Sequence, residues 1–273
     1  MSQGARLKAP ACQVRSKRLL RAAFTVACAA GVPSVLPAQA TNPVPHPHAS
    51  RSMVPFVGCK SDGQAGPLDA PKGKSRAFPI SSDVAEKLAY YEAEDGPGVL
   101  APRGWNCFGT YGSSGSNLYV SPEPIDAASI FTDRWPGFSG PAIQLSYEDG
   151  GTSGRFGVAS AIARVFPAYR AFTRKVIAEG IRPTSDFPYG SLPHDKMTYK
   201  GNRIAEYETP PNKDGLGTES YLKKNDRPIE GVLVLSGPKS ELDLTSLSMR
   251  LPANAADLAV AIREQVEREA GQP

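Results

Sequence analysis

Few residues of this chain stand in patterns that do chemistry. Ser139, in Gly137-Phe138-Ser139-Gly140-Pro141, has the glycine surroundings of a nucleophilic serine. A nucleophile elbow needs G-x-S-x-G between a strand and a helix; here Pro141 replaces the last glycine and a strand pattern follows. Acyl transfer through Ser139 would also need a histidine base. His46 and His48 lie in a Pro-rich stretch, which leaves His194, in Pro193-His194-Asp195. Ser139 and His194 are therefore the candidate catalytic residues of a serine-dependent hydrolase. The structural alternative is a Gly/Pro turn and an exposed loop.

Other catalytic patterns are thinner still. Ser236-Gly237-Pro238-Lys239 matches S-x-x-K, but no S-D-N or K-T-G follows. Glu92, Glu94 and Asp95 place carboxylates together as a glycosidase would, yet adjacent acids at a helix end ordinarily make a solvated face. The chain has no H-E-x-x-H, no D-x-D-x-D-G and no C-x-x-C, and Gly112–Gly115 lacks the lysine of a phosphate loop. The sequence thus assigns no cofactor and no metal, and an enzyme is the less favoured class.

The richest segment for recognition is GVLAPRGWNCFGTYGSSGSNLYVSP, Gly98 to Pro122. Arg103, Trp105, Phe108, Tyr111 and Tyr119 alternate here with Ser113, Ser114, Ser116 and Asn117. Flat aromatic faces beside short hydroxyl and amide groups suit sugar or peptide recognition. The same residues also read as scaffold. Along a strand, Trp105, Cys107, Gly109 and Tyr111 share one face, and Asn106, Phe108 and Thr110 the other. With Cys107 pointing inward, Trp105 would be core, and Phe108 and the loop hydroxyls would be exposed.

These residues need elements to hold them. Val84, Leu88 and Tyr91 fall at i, i+4 and i+7, which predicts a helix over SDVAEKLAYYEAEDG with a capping box from Asp83 to Glu86. Trp105–Tyr111 and Asn117–Val120 read as a hairpin around GSSGS, and Met197–Lys200 with Arg203–Glu208 as a second, turning at Gly201-Asn202. Pro141–Tyr147, Ile229–Leu235 and Leu242–Leu251 are strand-like. Helical patterns cover residues 154–179, interrupted at Pro167, and the C-terminal DLAVAIREQVEREAG. Hairpins outnumber βαβ units, so the expected fold is α+β: an antiparallel sheet built from hairpins and packed with about four helices.

The first 40 residues hold six basic residues, no acidic one, an apolar run from Ala22 to Leu36, and Ala38-Gln39-Ala40. This is the pattern of a secretory signal peptide cleaved after Ala40; the run is too short for the roughly 20 apolar residues of a membrane span. Two other readings exist: Thr25–Cys28 as a lipoprotein box that anchors the chain through Cys28, and translation from Met53. Residues 41–52 read as a Pro-rich linker and 53–273 as a single globular domain. The whole chain has 31 basic and 27 acidic residues, and removing the six leaves 25 against 27, a net −2. Nucleic-acid binders need a basic excess, so nucleic acid is not an expected partner. Cys59 and Cys107 are the two remaining cysteines, and in an oxidising compartment they most simply make one disulfide, with free thiols or a metal site as the alternatives.

Val57-Gly58-Cys59-Lys60-Ser61-Asp62-Gly63-Gln64 and Leu100-Ala101-Pro102-Arg103-Gly104-Trp105-Asn106-Cys107-Phe108 resemble segments of a group of exported proteobacterial proteins with no assigned function. The resemblance runs from about Met53 to the C-terminal helix. It implies a bacterial envelope setting, periplasmic or secreted, and supplies no catalytic residue. The expected function is non-catalytic binding of an envelope or extracellular ligand through Arg103, Trp105, Phe108, Tyr111 and Tyr119. The serine hydrolase and a purely structural envelope protein are the alternatives.

Overall fold

Residues 51–132 and 134–271 are described by a computed structural model. The expected signal peptide, the alternative anchor at Cys28 and most of the expected linker lie outside the described residues. In chain order the elements begin with β1 (Ser52–Val54), β2 (Phe56–Gly58), β3 (Lys60–Gly63), β4 (Arg76–Phe78), α1 (Ser82–Lys87), β5 (Leu88–Glu92) and β6 (Val99–Pro102). The hairpin β7 (Asn106–Gly112) and β8 (Gly115–Ser121) follows, then α2 (Ala127–Ile130), β9 (Ala142–Glu148), α3 (Arg155–Val165) and α4 (Arg170–Ala178). The hairpins β10 (Lys196–Lys200) with β11 (Ile204–Thr209), and β12 (Ile229–Ser236) with β13 (Asp243–Arg250), lead to α5 (Ala259–Ala270).

The fold is α+β, but its sheets are mixed rather than built only from antiparallel hairpins. Eight strands lie in the order β10-β11-β12-β13-β9-β8-β7-β3, three in the order β2-β5-β6, and two form a β1-β4 ribbon. The β3–β7 and β2–β5 pairings are parallel. The short strands β2 and β3 carry no alternating pattern of their own, and the Cys59–Cys107 disulfide ties their junction to β7.

One expected element changes type. The helix predicted over residues 82–96 stops at Lys87, and its N-cap is Ser81, whose hydroxyl accepts the Val84 N–H. Leu88, Ala89, Tyr90 and Tyr91 continue as strand β5, all buried. A helix would turn one of every three or four residues outward. Four consecutive buried residues instead suit a strand covered on both faces.

The eight-stranded sheet separates two cores. Val120, Ile143, Leu145, Val232, Leu247 and Met249 point to one face, under α5 and the three-stranded sheet. Gln265 of α5 locks this layer, accepting the Leu100 N–H (2.9 Å) and donating to the Gly98 carbonyl (3.1 Å). On the other face α3 and α4 cover Ala205, Leu233, Leu235 and Leu244, and buried Thr173 of α4 donates to the Ala159 carbonyl of α3 (3.0 Å). These helices roof only one half of that face.

Candidate functional site

The other half of the face is polar, and strand register shows why. Thr110, Asn117, Ser146 and Ser246 stand opposite one another across β7, β8, β9 and β13. Beside them runs Phe108, Tyr119, Gln144 and Ser248, and on the other side Gly112, Gly115, Glu148 and Leu244. Because strand side chains alternate with period two, all three rows share one face. Along β9 this face takes Gln144, Ser146 and Glu148, while Ile143 and Leu145 enter the apolar core opposite.

Side-chain hydrogen bonds tie the rows into a rigid polar floor. Ser146 Oγ donates to Asn117 Oδ1 (2.6 Å), Gln144 Nε2 donates to Ser146 Oγ (3.0 Å), and Asn117 Nδ2 donates to Thr110 Oγ1 (3.4 Å). Gln144 Oε1 accepts the Tyr221 N–H (2.8 Å), which anchors the 220s loop to the sheet. Ser248 Oγ shares a 2.6 Å hydrogen bond with the buried Tyr207 hydroxyl.

Above this floor lies a cleft of about 570 Å³, within the size range of small-molecule sites. The hairpin tip, with Tyr111, Ser114 and Ser116, forms one wall. Helix α3 forms another through Gly157, Ser160 and Ala161, and Glu219 and Ser220 a third. Exposed Phe131 stands at the rim. In the row beside the floor, Tyr119 meets Trp135, Tyr221 and Phe138 with ring centroids 5.8, 5.9 and 6.1 Å apart.

Glu148 and Glu219 are the charged residues among those lining the cleft. Burial pushes the Glu148 carboxyl up to about 7, and no charged neighbour offsets it. Glu219 is also raised by desolvation, but Arg164, 3.4 Å away, pulls it back down. Among the described residues no cluster of three or more His, Cys, Asp or Glu side chains is placed to hold a metal ion.

The hairpin segment contributes to this site, though not through the residues expected. Of the five, Tyr111 lines the cleft, and its hydroxyl donates to the Gly66 carbonyl (2.6 Å). Arg103 instead donates to the carbonyls of Ala85 and Leu88, closing the end of α1. Trp105 is half-buried against the core, next to Cys107. Phe108, expected exposed, is buried, and Tyr119 is buried too. Tyr119 packs against Trp135, Phe138 and Tyr221.

Ser139 and His194 are both exposed, and no hydrogen bond joins them. The Ser139 carbonyl accepts from Asn225 Nδ2 (2.7 Å) and Arg250, while Asp195 accepts from Thr209 Oγ1 (2.6 Å) and the Leu216 N–H (2.9 Å) rather than orienting His194. The strands they precede, β9 and β10, stand four places apart in the sheet, roughly 19 Å at ordinary spacing.

Gln144, Ser146, Glu148, Ser246 and Ser248 carry the floor, and motif reading passed over all five. Their signal was present as polar residues at every second position of strands whose intervening residues are apolar. That pattern marks any water-facing sheet face, so a cleft becomes visible only when α3 and the hairpin tip rise beside it. No protein-family model, no curated protein sequence and no solved structure matches this chain.

Proposed function

We propose that this chain is an exported envelope protein that binds a hydroxyl-rich polar ligand in the cleft, without catalysis. The observation that carries this reading is the hydrogen-bonded floor of Thr110, Asn117, Ser146 and Gln144, open to a cleft of about 570 Å³ that exposed Phe131 borders. Fixed amide and hydroxyl groups beside an exposed aromatic ring suit a sugar, which presents hydroxyls at its edges and apolar C–H faces. The Cys59–Cys107 disulfide supports an oxidising compartment. Among the described residues no helix is long and apolar enough to cross a membrane.

Cellobiose, a neutral disaccharide, tests the reading. Binding at ten times Kd should stabilise the fold by about 1.4 kcal/mol, roughly 2–4 °C in Tm. Ser146→Leu, which fills the floor, should abolish the shift. An unchanged Tm at tens of millimolar cellobiose would refute a glycan site.

A further inference from the structure

Glu148 distinguishes this cleft from a neutral sugar site. Its carboxylate lies against Gly157 in the first turn of α3, where an added Cβ would come within 2.0 Å of Oε1. Glycine inside a helix is unfavourable, and here its missing side chain makes the room that Glu148 occupies. No side chain or backbone group among the described residues hydrogen-bonds or ion-pairs with this carboxylate. The nearby cations are engaged elsewhere: Arg155 with Glu179 (2.8 Å) and the Thr152 carbonyl (2.6 Å), Arg164 with Glu219 (3.4 Å). The lining contains no Lys, Arg or His. A desolvated carboxylate without a partner is costly, and in a cleft the missing partner can come from the ligand.

Resting on the cleft as a glycan site, we propose that its ligand carries a primary amine, as an amino sugar does, with the ammonium on Glu148 and the hydroxyls over Asn117, Ser146 and Ser246. An ammonium offers three donors. Glu148 takes one or two, and the serine hydroxyls beside it on the floor can accept the rest. A metal ion is a poorer fit, because hard cations need six or more converging oxygens and one carboxylate leads this site.

The test compares three disaccharides by calorimetric titration at pH 8 and low salt: glucosamine disaccharide with free amines, its N-acetylated form, and cellobiose. Glu148 is ionised there, and part of the amine remains protonated. The expected result is at least tenfold tighter binding of the free-amine form, with Glu148→Gln abolishing the preference. Equal affinity for all three would overturn the amine inference and leave the glycan reading intact. Binding of none would overturn both. The comparison within the wild-type protein decides the matter even should Glu148→Gln fail to fold.

Discussion

The Glu148 carboxylate and the Gly157 α-carbon occupy one small space, and a β-carbon at Gly157 would lie 2.0 Å from Glu148 Oε1 and 2.4 Å from Oε2. The strand that floors the cleft and the helix that walls it are therefore coupled at a single side chain. In isolation, Gly→Ala in a helix gains about 1 kcal/mol. Here Gly157→Ala should give no gain, or a loss of about 1 kcal/mol, because the carboxylate must swing away. In a Glu148→Ala background the same change should stabilise by about 1 kcal/mol. Denaturant unfolding of the four proteins measures the coupling, and additive effects would show that the two residues do not share the space.

The raised Glu148 carboxyl fixes the sign of a pH effect. Its folded value of about 7 exceeds the ordinary 4.5, so the folded state holds this proton more tightly than the unfolded state. Its contribution is fully present below about pH 4.5 and is lost as pH rises through 7. Glu148→Gln, which keeps the neutral form, should match wild type near pH 4 and exceed it by roughly 1–3 kcal/mol at pH 8. Urea midpoints across this range would show it; a constant difference would mean that the carboxyl titrates normally.

Trp105 should matter for stability rather than for capture. Its ring packs half-buried on the core beside Cys107, while the Trp105 backbone N–H donates to the Tyr91 hydroxyl (3.1 Å) and would persist in an alanine variant. Trp105→Ala should cost roughly 2–3 kcal/mol, below the 3–5 of a fully buried aromatic, and leave cellobiose affinity within twofold. A large loss of affinity in a stable variant would return the binding surface to the outer hairpin.

Arg250 is 1 % exposed, and its guanidinium donates to the carbonyls of Ser139, Gly140 and Lys223. It gathers the 139–140 and 223 loops at one end of the sheet, and burial lowers its pKa. Arg250→Leu leaves those carbonyls without their donor and should cost about 3–5 kcal/mol. Arg250→Lys should recover only part of this, since a point ammonium lacks the planar fork. Full rescue by lysine in thermal unfolding would contradict the geometry.

The Cys59–Cys107 bridge closes a loop that holds β3 through β6. The double Cys→Ser variant should lose roughly 4 kcal/mol, the chain-entropy value for a loop of about 49 residues. Ellman titration should find no free thiol in the oxidised protein from Met53 onward and two after reduction in denaturant. A variant as stable as wild type would mean that the loop is already ordered in the unfolded chain.

Local pattern alone determined the α+β class, the hairpins at 106–121 and 196–209, the strand pair at 229–250, the helices of the 154–179 segment and the C-terminal helix. Each depends on interactions within a few residues: apolar periodicity, a Gly-Asn turn, a proline that a helix interior rejects. The disulfide was legible because, of the four cysteines, only Cys59 and Cys107 lie beyond the expected signal peptide, and two cysteines have one pairing. Tertiary structure decided the rest. Leu88–Tyr91 fits a helical face by spacing but becomes a strand because both its sides are covered, and the parallel pairings of β2 and β3 join short segments distant in sequence. The site belongs to this second kind. Asn117, Ser146 and Ser246 come from strands 29 and 100 positions apart along the chain, so only register aligns them. Gly157 reads as a flaw in a helix until the fold places Glu148 beside it.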